Sequence, residues 1–319
     1  MDWAMPIIIQ SNDSHTCSFF NINHNTTIEF SIYYFISIYS LFNAIINLFG
    51  VFIFIFVYTK KSLLRNLLLN LSLMEVFFQL SMFISQFMFY LMESSQLFAG
   101  NDISLSILLA SLIGSIVLVT STHISRNWSV VLIAIMRYEM VCKLPQKRWI
   151  FKTQTTIKKS LSIVIISIVI SLPRLAEFEY YVCSDKRQIV YFDGYLLNNF
   201  YYFYFYTGII FFMFQNIMPC LILILLSLLL ILTIYKQKKF RRSLPKSSGR
   251  NHGSSFKRCD IVISFICFLF LICEAPGCLK VLDKMDTKFY VIGWMMNILP
   301  CVDSTFNSLF YTVTYYVSQ

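Results

Sequence analysis

Seven long apolar stretches divide this chain and constrain its fold more than any other feature. Each is long enough to cross a bilayer, which takes about 20 apolar residues in a helix. The first and the fifth stretch contain no Asp, Glu, Lys or Arg. The sequence therefore predicts an all-α membrane protein, a seven-transmembrane helix bundle. The predicted spans cover about residues 30–59, 66–92, 103–139, 157–177, 195–235, 259–281 and 288–316.

The charges between the spans predict the orientation of the bundle. Charged residues make up only 13% of the 319 residues, against about a quarter in soluble domains. Three Lys and Arg lie between the first and second spans, six around the start of the fourth, and nine between the fifth and sixth. Basic loops face the cytoplasm, so we expect an extracellular N-terminus and a multi-pass plasma-membrane protein. The net charge of +10 is confined to these loops and does not predict nucleic-acid binding.

The predicted extracellular segments contain candidate modification sites. Residues 1–29 form an N-terminal tail with two N-glycosylation sequons, at Asn12 and Asn25. Cys17 and Cys183 both fall in predicted extracellular segments, where the environment is oxidising. They either remain free thiols or form a disulfide with each other. The nine cysteines show no metal-type spacing, so we predict neither a metal site nor a cofactor.

Two loops carry further predictions. Residues 178–195 alternate β-branched and aromatic residues, which predicts a short hairpin at the extracellular end of the bundle. Residues 236–258 are basic and rich in Ser and Gly, so we expect a mobile loop. This loop either anchors the protein to anionic membrane lipid or contacts a cytoplasmic protein, and both functions are compatible with its composition.

Four ionisable residues fall near the middle of predicted spans, where charged groups face the bundle interior and form pairs. Glu75 and Arg126 each lie about 15 Å from the cytoplasmic edge, at about 1.5 Å of helical rise per residue. We expect Arg126 to pair with Glu75, and with Asp303 or Glu274 as a second partner. Two amides are expected to hydrogen-bond to the same cluster: Asn47 and Asn307.

The function of such a cluster is open at the level of sequence. It is a packing network, or a switch whose ion pairs differ between two states, or an ion or proton path. His123 precedes Arg126 by three residues and lies on nearly the same helix face. It is either a hydrogen-bonded packing residue or a contact for a ligand entering from outside.

Six short motifs occur in order along the spans, and together they resemble those of the rhodopsin-like G-protein-coupled receptors. The first matches the span-1 asparagine of that family, the second is similar to NLAxxD and the third to DRY. The fourth matches the span-5 proline, the fifth is similar to CWxP and the sixth to NPxxY. Four motifs differ from the family pattern at one position. Glu replaces the Asp of NLAxxD, and Met replaces the acid that precedes the Arg of DRY. Glu replaces the Trp of CWxP, and Ser replaces the Pro of NPxxY. The motifs are Asn47, Asn70-Leu71-Ser72-Leu73-Met74-Glu75, Met136-Arg137-Tyr138, Pro219, Cys273-Glu274-Ala275-Pro276 and Asn307-Ser308-Leu309-Phe310-Tyr311.

A narrower resemblance is to the nematode serpentine receptor class W, which is itself similar to FMRFamide-type neuropeptide receptors. It rests on the CEAP motif and on three further segments. These are Ile124-Ser125-Arg126-Asn127-Trp128-Ser129, Ser171-Leu172-Pro173 and the closing Val317-Ser318-Gln319.

The resemblance implies an extracellular ligand pocket and a cytoplasmic cavity for a heterotrimeric G protein. The implied G-protein contacts are Arg137, Tyr138 and Tyr311. The implied ligand contacts are Val119, His123, Glu274, Trp294 and Asn297. HExxH, GxSxG and a phosphate-binding glycine loop are absent from the sequence, so we do not expect an enzyme. The resemblance leads us to expect a receptor for a neuropeptide or another extracellular chemical signal. The alternative is a small membrane transporter or channel that uses the charge cluster as an ion path.

Overall fold

The chain is described by a computed structural model over ten ranges. These are residues 9–11, 26–57, 63–93, 102–142, 153–183, 188–193, 196, 199–243, 268–274 and 298–307. Some predicted site residues lie outside these ranges: Asn12, Cys17, Asn25, Trp294, Asn297 and Tyr311.

Five α-helices form the main body of the described structure. They are α1 (Thr26–Phe52), α2 (Leu63–Glu93), α3 (Asp102–Cys142), α4 (Thr153–Ser171) and α5 (Met218–Ser243). A π-helical turn, Ile53–Val57, continues α1, and a 3₁₀ helix, Leu172–Ala176, follows α4. Two π-helical segments lead into α5: Tyr202–Phe211 and Met213–Ile217.

The helices are long and apolar enough to cross a membrane at five places. These are Ser31–Phe56, Asn66–Leu91, Ala110–Met136, Lys158–Ala176 and Tyr204–Thr233. The prediction of helices that are long and apolar enough to cross a membrane is therefore confirmed for the first five spans. The sixth and seventh predicted spans are described only over 268–274 and 298–307, which are helical. The count of seven spans stays a prediction, as does the side of the membrane on which the N-terminus lies.

The surface of α1 shows why this bundle suits lipid. Phe35, Phe42, Phe49 and Phe56 recur every seven residues, about two helical turns, and each is more than half exposed. Polar side chains of the same helix, such as Asn47, are buried against its neighbours. Apolar groups outside and polar groups inside invert the arrangement of a soluble protein. The surrounding solvent that fits this arrangement is the hydrocarbon of a bilayer.

The described structure also contains a small sheet. The predicted all-α fold class is therefore corrected to a helical bundle with one small sheet. Strand β2 (Phe178–Cys183) pairs antiparallel with β3 (Gln188–Asp193), which confirms the hairpin predicted within 178–195. Strand β1 (Ile9–Ser11) pairs parallel with β2, and Ser11 is in register with Cys183. The sequence did not predict β1, because three residues are too few for a period of two to be recognised. The pairing places the N-terminal segment and the hairpin at the same end of the bundle.

The basic segment after the fifth span is also partly different from the prediction. We predicted a mobile loop over 236–258, whereas α5 continues to Ser243. The segment from Lys236 to Arg242 consists mostly of Lys, Gln and Arg, which have high helix propensity. The helix therefore extends beyond the apolar part of the span. Residues 244–258 lie outside the described ranges.

The core has two apolar parts with polar groups between them. One part joins the π-helical turn after α1 to the early half of α2 and the late half of α3, and includes Phe54, Leu71 and Val130. The other joins the early half of α1 to the later part of α2, and includes Ile36 and Phe78. Asn47, Glu75 and Arg126 fall between these two parts in sequence. The candidate site lies in this middle layer.

Candidate functional site

The guanidinium of Arg126 contacts three carboxylates in the interior of the bundle. Its Nε donates to Glu75 Oε1 over 3.2 Å, and its Nη1 donates to Glu274 Oε1 over 3.5 Å. Its Nη2 forms a short hydrogen bond with Asp303 Oδ2. The side chains of Arg126, Glu75 and Asp303 are fully buried. We call these four residues the charge cluster.

The helices explain why the cluster forms in this layer. Glu75 comes from α2, Arg126 from α3, Glu274 from the segment 268–274 and Asp303 from the segment 298–307. Each of the four groups stands alone as a charge in an apolar stretch, so it finds no group of opposite charge on its own helix. A charge in this environment is stable only with partners from neighbouring helices. Pairing across four predicted spans gives each of the three acids a contact with Arg126.

Aromatic rings enclose the guanidinium. Arg126 Cζ lies 5.2 Å from the ring centroid of Phe78 and 5.8 Å from that of Phe270. Both distances allow cation–π attraction, which is stronger in a desolvated site. Phe78 and Phe270 belong to different apolar parts of the core. Arg126 is thus held between these two parts as well as among the acids.

Amide side chains link two of the acids. Asn307 Nδ2 donates to Glu75 Oε1 over 3.2 Å and to Asp303 Oδ2 over 3.0 Å. Asn47 Nδ2 donates to Ser304 Oγ over 3.2 Å, so α1 joins the same layer through the residue next to Asp303. Asn47 was expected to bond directly to the charged groups, and its described bond goes to Ser304 instead.

His123 connects the charge cluster to the fifth span. Its Nε2 lies 3.0 Å from Glu274 Oε1, and its Nδ1 lies 2.8 Å from Gln215 Nε2. An amide nitrogen only donates, so His123 Nδ1 accepts and the proton of the neutral ring is on Nε2. Nε2 therefore donates to Glu274. The side chain of His123 is 12% exposed, whereas those of Glu274 and Arg126 are 2% and 0% exposed.

Two more side chains of α3 bond to the backbone of the fifth span. Asn127 Nδ2 donates to the carbonyl oxygen of Gln215 over 3.0 Å. Trp128 Nε1 donates to the carbonyl oxygen of Phe214 over 2.9 Å. Both carbonyls lie in the π-helical segment Met213–Ile217. A π-helix widens the backbone hydrogen-bond pattern and often marks a functional position, and here its carbonyls serve a neighbouring helix.

A second buried carboxylate lies nearer the sheet. Glu177 is 1% exposed and accepts from Arg174 Nε over 3.1 Å and from the Tyr202 hydroxyl over 3.1 Å. Arg174 also stacks on Phe211, with its Cζ 4.5 Å from the ring centroid. These contacts join the 3₁₀ helix after α4 to the start of the fifth span. One arginine balances one acid here, in contrast to the charge cluster.

The structure brings together most of the residues predicted for the switch. The predicted contact between Arg126 and Glu75 is present, and both proposed second partners contact Arg126 as well. Asn307 also lies where expected. That these residues form a switch stays a prediction, since one arrangement does not show a second.

The predicted ligand and G-protein contacts are described only in part. Val119 packs beside the apolar part that contains Ile36 and Phe78, and His123 contacts the Phe78 ring at 5.2 Å. Arg137 and Tyr138 lie in the last turns of α3, and the side chain of Arg137 is outside the described part of the structure. The ligand-binding and coupling roles of these residues stay predictions.

Gln215 was not among the predicted site residues, although the sequence contains a signal for it. Gln215 and Asn216 are a pair of amides within a fifth span that is otherwise strongly apolar. Amides at membrane depth need partners, so they predict an interior face toward α3. The roles of Trp128 and Asn127 were not predictable from sequence, because they depend on the π-helical geometry of the facing backbone.

The described residues suggest no metal chemistry. No group of three or more His, Cys, Asp or Glu side chains in the described ranges is placed to hold a metal ion. The acids of the charge cluster surround a guanidinium instead. The cluster can therefore hold helices together, change its ion pairs or exchange a proton.

The fold and the site together define a helical membrane protein with a charged, buried layer that joins its helices. Compared with models of known protein families and with curated proteins, the sequence gives no significant match. The receptor resemblance consequently rests on the residues of this chain.

Proposed function

We propose that this protein is a G-protein-coupled receptor of the plasma membrane that responds to an extracellular peptide. The motifs that carry the resemblance support the proposal, because their polar residues converge in one layer of the bundle. Asn47, Glu75, Glu274 and Asn307 come from four different motifs, and each lies in this layer.

The observation that best supports the proposal is a carboxylate oxygen shared between His123 and Arg126. Glu274 Oε1 accepts from His123 Nε2 over 3.0 Å and from Arg126 Nη1 over 3.5 Å. His123 is the partly exposed candidate for ligand contact, and Arg126 is the centre of the charge cluster. A ligand that moves His123 therefore changes the contacts of the carboxylate that Arg126 shares. This is the local event that a two-state switch requires.

The proposed mechanism follows from these contacts. Ligand binding displaces His123, and Glu274 turns more fully toward Arg126. The competition between Glu274 and the other two acids then shifts the segment 268–274 relative to α3. Movement of this predicted sixth span opens the far end of the bundle, where Arg137 contacts the G protein. The ligand supplies the free energy only through its different affinity for the two states.

The experiment that tests the proposal measures nucleotide exchange. Membranes from cells that express the protein are mixed with a purified heterotrimeric G protein and with a library of neuropeptides. We expect at least one peptide to accelerate guanine-nucleotide exchange, and Arg137→Ala to abolish this acceleration while surface expression is retained. Ion or solute flux without any G protein, and without exchange, would favour the transporter or channel instead.

A pair of variants tests the role of His123. His123→Gln keeps a hydrogen-bonding side chain and removes the ring, so we expect a lower peptide potency or a changed basal activity at normal surface expression. Leu118→Ala is the matched control, because Leu118 lies on α3 just over one turn before His123 with half of its surface exposed. Equal effects of the two variants would show that the substitutions act through the stability of α3 and not through the site.

A further inference from the structure

The charge cluster contains more negative than positive groups. Its three carboxylates face one guanidinium, and His123 adds at most one further positive charge. If all three acids are ionised, at least one negative charge has no counterpart among the described residues. Charge balance in this layer therefore requires another positive species.

The burial of the cluster makes an unbalanced charge costly. Glu75 and Asp303 are fully buried, and Glu274 is 2% exposed. Apolar core residues lie on both sides of the layer. In such an environment a carboxyl group is neutralised by a proton instead of persisting as an uncompensated ion.

The hydrogen bonds indicate which acids share the proton. Glu75 Oε2 and Asp303 Oδ1 are buried and have no hydrogen-bond partner among the described residues. The other oxygen of each acid accepts from Arg126 and from the same amide nitrogen, Asn307 Nδ2. Glu274 differs, because its Oε1 accepts from both His123 and Arg126.

We propose that the charge cluster holds an exchangeable proton shared by Glu75 and Asp303. Binding forms one O–H bond, on Glu75 Oε2 or on Asp303 Oδ1, and takes the proton from water; release returns it to water. The neutral pair then faces Arg126 together with the ionised Glu274. Loss of the proton leaves two negative carboxylates joined by one amide, and their repulsion drives α2 and the segment 298–307 apart.

The other titratable groups near this pair are few among the described residues. Arg126 and His123 come from α3, and Glu274 from the predicted sixth span. Two thiols are also close enough to interact with the acids, Cys273 with Asp303 and Cys301 with Glu75. The facing groups from α1 and from the fifth span, Asn47 and Gln215, do not titrate. The proton is therefore assigned to the pair of acids whose second oxygens have no donor.

Infrared spectroscopy of the purified full-length protein in lipid nanodiscs tests this proposal. We expect the carbonyl-stretch band of a protonated carboxylic acid near neutral pH, its shift in D₂O and its loss at alkaline pH. The double variant Glu75→Gln, Asp303→Asn has to lack the band. Glu177→Gln is the matched control and has to retain it, because Glu177 is equally buried but balanced by Arg174.

The spectrum of the unmodified protein alone is enough to reject the proposal, since absence of the band near neutral pH overturns it. Persistence of the band in the double variant also overturns it, because the proton then belongs to another group such as Glu274. If the double variant does not fold, Asp303→Asn alone has to shift or remove the band. The measurement needs neither peptide nor G protein, so its result is independent of the proposed receptor function.

Discussion

Trp128 donates a hydrogen bond from Nε1 to the backbone carbonyl oxygen of Phe214 over 2.9 Å, and the two rings pack with centroids 4.8 Å apart. Phe214 lies in the π-helical segment Met213–Ile217. The indole thus bonds the backbone and covers the side chain of the same residue. Together with Asn127, Trp128 stabilises the irregular part of the fifth span against α3.

Replacing Trp128 with Phe separates these two contacts. We expect Trp128→Phe to keep the ring packing but to leave the Phe214 carbonyl without its donor, which lowers the stability by about 1–3 kcal/mol. The thermal unfolding midpoint in detergent measures this loss. Tyr201→Phe is the control, because the Tyr201 side chain is 78% exposed and its hydroxyl loss is expected to have no effect. An unchanged midpoint for Trp128→Phe would show that this hydrogen bond contributes no net stability.

The sequence was sufficient to predict those parts of the fold that depend on composition along one segment. The first five spans follow from runs of apolar residues, and the hairpin follows from alternation in 178–195. The π-helical segments were not predictable, because their sequence is as apolar as that of a regular helix. They depend on partners such as Trp128 and Asn127, which come from another helix.

The charge cluster shows the same limit at the level of single contacts. An isolated charge in an apolar helix needs a partner, so the convergence of Glu75 and Arg126 was predictable. The orientation of each helix about its axis decides which acids reach the guanidinium, and the sequence does not contain this rotation directly. From the sequence, Asp303 and Glu274 were alternative second partners of Arg126, whereas the structure places both in contact with Arg126.

Because Arg126 contacts three acids, exchanging the charges of Arg126 and Glu75 is expected to restore only part of the surface expression. We expect Arg126→Glu and Glu75→Arg, each alone, to abolish surface expression. The first leaves four acids without a guanidinium, and the second places two guanidiniums against each other. The double variant is expected to recover only part of the expression. Its new carboxylate at position 126 still faces Asp303 and Glu274, so two of the three original contacts become repulsive. Surface labelling and flow cytometry measure the recovery.

A neutral version of the cluster provides the control for this exchange. Arg126→Met alone leaves buried acids without their partner, which typically costs about 3–5 kcal/mol. Adding Glu75→Gln, Asp303→Asn and Glu274→Gln removes the charges as well, and replacement of a whole buried ionic group is often neutral for stability. We expect this combination to reach the surface without signalling. Failure of both the exchanged and the neutral versions would show that the cluster acts through packing shape and not through charge.

The second buried acid predicts a local effect near the hairpin. Tyr202→Phe removes the hydroxyl that donates to Glu177 over 3.1 Å, and Arg174 remains as a donor to this carboxylate. We therefore expect a moderate loss of stability, about 1.5–3 kcal/mol for a hydrogen bond to a charged group. Thermal unfolding measures the loss, and Tyr201→Phe again serves as the control. A larger loss in the control than in Tyr202→Phe would contradict the contact with Glu177.

The sheet bears on the predicted disulfide. Ser11 is the register partner of Cys183, and Cys17 follows Ser11 by six positions. An extended segment of this length spans about 20 Å, so a turn within it is needed to return Cys17 to Cys183, and six residues are enough for one. Cys17 lies outside the described ranges, so the pairing of β1 with β2 places only Ser11 beside Cys183, and the disulfide stays a prediction.

We expect peptide mapping without reduction to find Cys17 linked to Cys183 in protein purified from a secretory-pathway host. Cys17→Ser and Cys183→Ser are expected to lower the unfolding midpoint by similar amounts, and the double variant to behave like either single one, because all three lack the same bond. Cys273 is the internal control, since it is a buried free thiol that alkylates only after denaturation. Additive effects of the two single substitutions, or alkylation of Cys17 without reduction, would mean that the two cysteines act separately and that β1 is held by its backbone hydrogen bonds alone.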